Sequence, residues 1–265
     1  AASWFQSLGE PFPPALAAKA AHQALVALDT DTAVDLARSA ATQHWRAAFV
    51  LAEVARAAGD GMQAALWFER AADLAQDDAA IRRVAMARGA VHAFVLQEPD
   101  VAIGVLRDAS QEVSSHEQSL ELLCEAAFTA ALLGDFREVL TLCRRVLGEP
   151  EVDALTTWTA AINLGYAQIM LGDVAGIDVT LDVAGRHAER TRHEHPEGTD
   201  LYSALTVGAK ILLGHVPQAA RQARERLDVL GADRAHRGVT AAISVEALLL
   251  AGDERGGEGG EEGVA

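Results

Sequence analysis

Residues 58–75, AGDGMQAALWFERAADLA, contain the pattern that decides the fold of this chain. Gly59 is suited to the left-handed conformation that ends an α-helix. Asp60 can cap the helix that follows, and its carboxylate favours the positive end of that helix. Small and aromatic side chains then recur with a helical period at Ala64, Phe68, Ala71, Ala72 and Ala75, with Ala65 beside them. The stretch therefore predicts a helix end, a tight turn and a second amphipathic helix.

The same kind of turn recurs along the chain, each time after a long apolar helix. The six turns are Ala58-Gly59-Asp60, Glu98-Pro99-Asp100, Leu133-Gly134-Asp135, Leu171-Gly172-Asp173, Leu213-Gly214-His215 and Ala251-Gly252-Asp253. Their last positions are 40, 35, 38, 42 and 38 residues apart. Pro99 stands where the other turns have glycine. Proline breaks a helix because it lacks a backbone N–H and its ring clashes with the preceding turn. An earlier, shorter unit has its turn at Asp29-Thr30-Asp31.

The periodicity predicts helices and almost no strands, because alternating Val/Ile/Thr runs bounded by hairpin turns are nearly absent. The predicted helices cover residues 15–28, 32–41, 43–58, 61–76, 78–97, 100–113, 115–133, 136–147, 152–171, 174–190, 199–213, 216–230 and 235–251. Short turns make neighbouring helices antiparallel, and successive helix pairs then stack around a shared core. We therefore expect an all-α solenoid of about six helix-turn-helix repeats.

The repeats are expected to cover residues 15–253. Residues 1–14 have no signal-peptide pattern and are expected to be a lead-in or linker, and the Gly/Glu-rich residues 254–265 a disordered tail. The longest uncharged run, residues 154–172, is long enough to span a bilayer. Because it contains several Thr, Asn and Gln side chains, it fits a buried helix of a soluble protein better than a membrane span.

Composition limits the classes of protein further. The chain has 38 Asp and Glu against 22 Lys and Arg, a formal net charge of −16, and 50% hydrophobic residues. The hydrophobic content is too high for a disordered chain. The negative charge repels phosphate backbones, so direct nucleic-acid or anionic-membrane contact by this segment is not expected. Two cysteines in 265 residues form no disulfide framework and indicate a cytoplasmic location.

No catalytic motif is found in the sequence. It has no phosphate-binding Gly-x-x-x-x-Gly-Lys-Ser/Thr loop, no Gly-x-Ser-x-Gly elbow and no His-Glu-x-x-His zinc helix. His187, His193, Glu194 and His195 are residue types that bind metal ions, but the simpler interpretation of this cluster is a solvated polar loop. Cys124 and Cys143 are interpreted as core residues rather than a redox pair. We therefore expect no enzymatic activity, no metal and no cofactor.

The repeat resembles the tetratricopeptide family. The small residue Ala64, the aromatic Phe68 four residues later and Ala71 after it resemble the pattern of that family's second helix, and Leu164-Gly165 resembles the Leu-Gly pair of its first helix. The resemblance implies a right-handed α-solenoid of TPR-like repeats. Repeat lengths of 35 to 42 residues and the missing closing proline are similar to the degenerate repeats of large bacterial LuxR-type and MalT-like transcription regulators.

The resemblance also implies a binding groove lined by the first helix of each pair. Projecting the family's inward positions onto this chain gives candidate groove residues at Arg46, Phe49, Glu53, Arg56, Phe128, Ile162 and Tyr166. A groove for a peptide's terminal carboxylate needs convergent cations. Only the repeat with Arg46 and Arg56 supplies them in part, and Glu53 lies between the two. The projection therefore favours an apolar helix of a protein or peptide partner, or a small apolar effector.

Three functions follow from these observations. The first is a non-catalytic repeat domain that recognises a protein partner or an effector as the sensor part of a LuxR-type regulator. The second is a free-standing cytoplasmic adaptor that uses the same groove. The third is an enzyme on an α/α scaffold acting through residues 187–195, which no nucleophile–base pair supports. Homo-oligomerisation through an exposed terminal repeat is a further possibility.

Overall fold

The structure, a computed structural model, describes residues 12–191, 198–229 and 245–251. Within these ranges all regular structure is helical, which confirms the predicted all-α class. The helices are α1 (Pro14–Val26), α2 (Thr30–Arg38), α3 (Trp45–Ala57), α4 (Gly61–Leu74), α5 (Asp78–Ala90), α6 (Pro99–Glu112), α7 (His116–Leu132), α8 (Phe136–Gly148), α9 (Ala154–Leu171), α10 (Ile177–Thr191), α11 (Gly198–Leu212) and α12 (Val216–Val229). A further helical segment covers residues 245–250. The first 11 residues and residues 252–265, which include most of the predicted lead-in and tail, lie outside the description.

The helices pack in consecutive pairs within two compact units, Ala1–Thr129 and Ala130–Ala265. In the first unit, α1 packs against α2, α3 against α4 and α5 against α6, while α1 and α3 also contact each other. In the second unit, α9 packs against α10 and α11 against α12, while α9 contacts α11. We call the odd-numbered helices first helices and the even-numbered ones second helices. Stacked pairs of this kind are the arrangement of TPR-like helical repeats.

The turn between α3 and α4 shows how the Gly-Asp pair ends one helix and begins the next. Gly59 has a φ of 79°, in the left-handed region. The N–H of Asp60 donates to the carbonyl of Ala55 at 2.9 Å, which closes the end of α3. The Asp60 carboxylate then accepts the N–H of Gln63 at 3.0 Å and caps α4. The later turns repeat the left-handed glycine at Gly134, Gly172 and Gly214.

The turn before α6 differs from the prediction in two respects. The helix expected at residues 78–97 ends at Ala90 and continues as a π-helical turn, Val91–Val95. The preceding helix is followed by Gln97 in the left-handed conformation, with a φ of 57°, and is not ended by Pro99 as expected. Pro99 instead begins α6, at a position where a backbone N–H has no partner within the helix.

Small side chains allow the helices to approach closely. Ala64, Phe68 and Ala71 of α4 are fully buried, as their periodicity predicts. In the second unit, a Cβ added at Gly165 of α9 would lie 2.8 Å from a methyl carbon of Leu205 on α11, so the two first helices are in close contact there. No helix in the described ranges is long and apolar enough to cross a membrane.

Candidate functional site

The first helices carry all seven predicted groove residues, and their exposure differs widely. Phe128 on α7 and Tyr166 on α9 are 43% and 40% exposed. Ile162 is half-buried and packs against a core cluster of the second unit. Phe49 on α3 is only 6% exposed. Phe128 and Tyr166 are therefore the groove candidates with apolar surface available to a partner.

Phe49 is a core residue of the first unit. Its ring meets Phe68 of α4 edge-on, with the ring centres 5.3 Å apart. It meets Trp45, one turn earlier on α3, at 6.1 Å in a similar geometry. Edge-to-face pairs of this kind stabilise aromatic clusters beyond the area they bury. The Phe49 ring therefore anchors α3 to α4 and supports the side chains that lie over it.

Two arginines lie over these rings. The guanidinium carbon of Arg46 is 5.0 Å from the centre of the Trp45 ring. The guanidinium carbon of Arg83, which reaches across from α5, is 5.0 Å from the centre of the Phe49 ring. Cation–π contacts at this distance orient a guanidinium while leaving its N–H edge available for hydrogen bonds. The aromatic rings of α3 therefore fix two positive charges that come from adjacent first helices.

His22 of α1 lies within range of both charges. Burial lowers the pKa of its imidazole, and the positive charges of Arg83 and Arg46 lower that pKa further. Burial and Arg46 also lower the pKa of His44, the residue that caps α3 by accepting the N–H of Arg46. Both shifts favour the neutral form of the imidazole. His22, Arg46 and Arg83 come from three successive first helices, α1, α3 and α5.

The other predicted charges of α3 are already paired with each other. The carboxylate of Glu53 accepts a hydrogen bond from Arg56 at 2.7 Å, one turn further along the helix. This hydrogen bond and the charge of Glu53 raise the pKa of Arg56. Arg56 is exposed and Glu53 half-buried, so the contribution of the pair to stability is small. Glu53 and Arg56 therefore compensate each other's charge within α3.

The next first helices carry compensated charge. Arg82 of α5 forms an ion pair with Glu121 of α7. Burial raises the pKa of Glu125, one turn after Glu121, although the positive charge of Arg82 opposes the shift. The charge of Arg82 is therefore compensated by a carboxylate of the next first helix.

The sequence projection missed His22 and Arg83. Arg83 lies on α5, and none of the seven candidate groove residues is on that helix. His22 belongs to the earlier, shorter unit, to which the projection was not applied.

Tyr166 has a different neighbourhood in the second unit. Its ring contacts Phe136, the first residue of α8, edge-on at 5.8 Å between ring centres. Met170 and Leu171 follow on the last turn of α9, and both are exposed. This end of α9 therefore presents an aromatic ring and aliphatic side chains together, which is typical of surfaces that contact proteins.

The described residues include no group of three or more His, Cys, Asp or Glu side chains placed to hold a metal ion. Three members of the predicted cluster, His193, Glu194 and His195, lie outside the described ranges. Burial and the charge of Arg190 lower the pKa of His187, the fourth member. Cys124 and Cys143 are both buried, as the core interpretation predicts.

A cavity of about 170 Å³ lies between α4, α5 and α6 in the first unit. Alanines and Ile81 form most of its wall, with Arg88, Asp108 and Glu112 on the polar side. Sites for drug-sized ligands measure about 300–1,000 Å³, so this cavity gives little support to a small apolar effector bound there.

The fold defines the class of protein as an all-α repeat of helix pairs of the tetratricopeptide type. Among solved structures, the chain is similar to the TPR domain of P58(IPK), with 14% identity and a TM-score of 0.34. The match covers 89% of this chain and 66% of the other, so the chain spans a little under two thirds of that structure. At this identity and TM-score the similarity carries no argument about function. No family model matches the sequence, and no curated protein matches it.

Proposed function

We propose that the chain is a non-catalytic repeat domain that binds a protein partner through exposed side chains on the first helices of each unit. The observation that carries this proposal is the exposure of Phe128 and Tyr166 on first helices of a helix-pair fold. Large exposed side chains cost little stability when they stand alone, but aromatic ones dominate the energetics of protein interfaces. Repeat solenoids bind partners through extended surfaces of this kind. The predicted groove residues Arg46, Glu53, Arg56 and Ile162 belong to the same proposal.

A protein partner is favoured over a small effector by the shape of the surface. Phe128 and Tyr166 are side chains on open helix faces, whereas effector sites enclose most of their ligand. The exposed aliphatic side chains of Met170 and Leu171 extend the apolar surface beside Tyr166. In the second unit, a partner helix or extended segment can cover this surface, with the ring of Tyr166 acting as an anchor.

The test compares matched aspartate variants in the capture of partner proteins from the source cells. Phe128→Asp and Tyr166→Asp place a charge on first helices, while Leu66→Asp and Val179→Asp place the same charge at exposed apolar positions of second helices. Quantitative mass spectrometry measures what each immobilised protein retains. We expect the first-helix variants to lose about tenfold or more of a protein that the wild type and second-helix variants retain. Equal retention by all four variants would contradict the proposal.

We further propose that this domain is the sensor region of a bacterial LuxR-type transcription regulator. The support is the resemblance of the degenerate repeats, 35 to 42 residues long, to the helical region of those regulators. The test is the DNA sequence on both sides of the coding region. An upstream phosphate-loop NTPase and a downstream helix-turn-helix are expected. Flanking sequence that encodes neither domain would refute the regulator proposal and leave the hypothesis of a free-standing adaptor.

A further inference from the structure

The cavity between α4, α5 and α6 lies where two helices end. Ala72 and Ala75 line it from the end of α4, and Ala109 and Glu112 line it from the last turn of α6. Neither helix has a basic residue in its last turn. Because the C-terminal end of a helix carries partial negative charge, the two ends together create a negative field at the cavity.

Two carboxylates strengthen this field. Asp108 and Glu112 lie one turn apart on α6, and both line the cavity. Like charges at this spacing repel each other, and an acidic residue at the C-terminal end of a helix is unfavourable. Within the described ranges neither carboxylate forms an ion pair. A bound ammonium group, with three N–H donors, would relieve both unfavourable interactions.

Arg88 of α5 places the opposite charge at the same cavity. Its ion-pair partner is Glu69 of α4, whose Oε1 atom is 3.9 Å from Nη2, which is too far for a hydrogen bond. The Nε atom of Arg88 is buried and has no hydrogen-bond partner in the part of the chain that the structure describes. Buried donors are satisfied in the great majority of cases, because an unmade hydrogen bond costs its full desolvation penalty. Arg88 therefore has a donor available for a carboxylate from outside the chain.

The rest of the cavity wall is apolar. Ile81 and Ala85 of α5 and Val105 of α6 line it together with the alanines of α4 and α6. The volume of about 170 Å³ corresponds to about six water molecules. This room is too small for a drug-sized ligand and suits a metabolite of fewer than about ten non-hydrogen atoms. The wall therefore offers a short aliphatic group a place beside the charged side chains.

We propose that the cavity binds a free aliphatic amino acid of about the size of valine or leucine. Its ammonium group pairs with Asp108 and Glu112, and its carboxylate pairs with Arg88. Its side chain packs against Ile81 and Val105. The site goes beyond the proposed function, since its lining shares no residue with the exposed side chains of the first helices that contact the partner.

Ligands with only one of the two charges match the cavity less well. An aliphatic amine places a second cation beside the guanidinium of Arg88 and leaves its Nε atom without an acceptor. A carboxylic acid brings a further negative charge to two helix ends and two carboxylates. A zwitterion pairs with both sets of groups, and hydrogen bonds between ionised partners are the stronger ones.

The test is a chemical-shift titration of the ¹⁵N-labelled chain with L-valine and L-leucine. Two probes keep the carbon skeleton of valine, because isobutylamine lacks only the carboxylate and isovalerate lacks only the ammonium group. Arg88→Gln and Glu112→Gln each remove one charge from the cavity. Arg38→Gln on α2 and Glu117→Gln on α7 make the same changes at exposed positions that do not line it.

We expect at least one of the two amino acids to bind and to shift resonances of α4, α5 and α6. Isobutylamine and isovalerate should bind about tenfold or more weakly than L-valine, since each lacks one set of charge-assisted hydrogen bonds. Arg88→Gln and Glu112→Gln should weaken amino-acid binding by a similar factor, and the two control variants by less than about twofold. Arg88→Gln should not weaken isobutylamine, which has no carboxylate to lose.

Absence of binding by both amino acids up to about 10 mM would overturn the inference. Isobutylamine or isovalerate binding as tightly as L-valine would overturn it as well, because only one charge would then be recognised. Equal affinity in the wild type and Glu112→Gln has the same consequence. Glu112 is exposed, so this variant keeps the test decisive if Arg88→Gln does not fold. Capture of a partner through Phe128 and Tyr166 is measured separately and can succeed or fail independently.

Discussion

Two glycine-to-alanine substitutions in the first unit should change stability in opposite directions. Gly59 has a φ of 79° and ends α3, whereas Gly104 lies inside α6 with ordinary helical φ. A Cβ added at either position meets nothing within 4 Å, so neither change creates or removes a packing contact. The difference between the two variants therefore isolates the backbone conformation.

The magnitudes follow from this geometry. A non-glycine residue in the left-handed region costs about 1–2 kcal/mol, and alanine recovers about 0.4–1 kcal/mol by restricting the unfolded chain. Gly59→Ala should thus destabilise the first unit by about 0.5–1.5 kcal/mol. Gly104→Ala should stabilise the same unit by about 0.5–1 kcal/mol, since alanine is the better helix former.

The assay is urea unfolding followed by circular dichroism at the helical band. Both glycines belong to the unit Ala1–Thr129, so they report on the same transition even if the two units unfold separately. The midpoints should move in opposite directions with unchanged slope. A shift of the same sign for both variants, or a stabilising Gly59→Ala, would refute the assignment of Gly59 as the left-handed residue that ends α3.

Two further predictions concern the core and a helix cap. Phe68→Ala should cost about 3–5 kcal/mol because the ring is fully buried, whereas Phe94→Ala, at an exposed ring, should cost less than about 0.5 kcal/mol in the same urea titration. Asp153 caps α9; burial would raise the pKa of its carboxyl, but hydrogen bonds from Thr156 and neighbouring N–H groups outweigh burial and lower it. Asp153→Ala should therefore cost about 1 kcal/mol at neutral pH, and the difference from the wild type should shrink as pH falls below about 4, through the lowered pKa; a constant difference would refute the cap.

The repeat could be predicted because its determinants are local. Gly59 and Asp60 are adjacent, and both act within one turn of the residues they affect. The turn before α6 could not be predicted in the same way. Its π-helical segment includes Val95, whose methyl carbon would lie 2.6 Å from a Cβ at Gly61 of α4, a contact between residues far apart in sequence. A sequence pattern within one helix cannot predict packing of this kind.

The candidate site depended on tertiary contacts to a greater extent. Periodicity places Phe49 on an apolar stripe of α3, but only the position of Phe68 on α4 decides that this stripe faces the core. The guanidinium of Arg83 reaches the ring of Phe49 from α5, in the next repeat. Because the repeats vary from 35 to 42 residues, a fixed projection from one turn to the next loses register and misses such pairs.

The measurement that tests the central claim most directly is hydrogen exchange of the chain with and without the captured partner. The account predicts slower amide exchange on partner binding in the first helices α3, α7 and α9, with the second helices α4, α6 and α10 unchanged. Slower exchange confined to the second helices would contradict the account, because the partner would then bind the opposite side of the helix pairs.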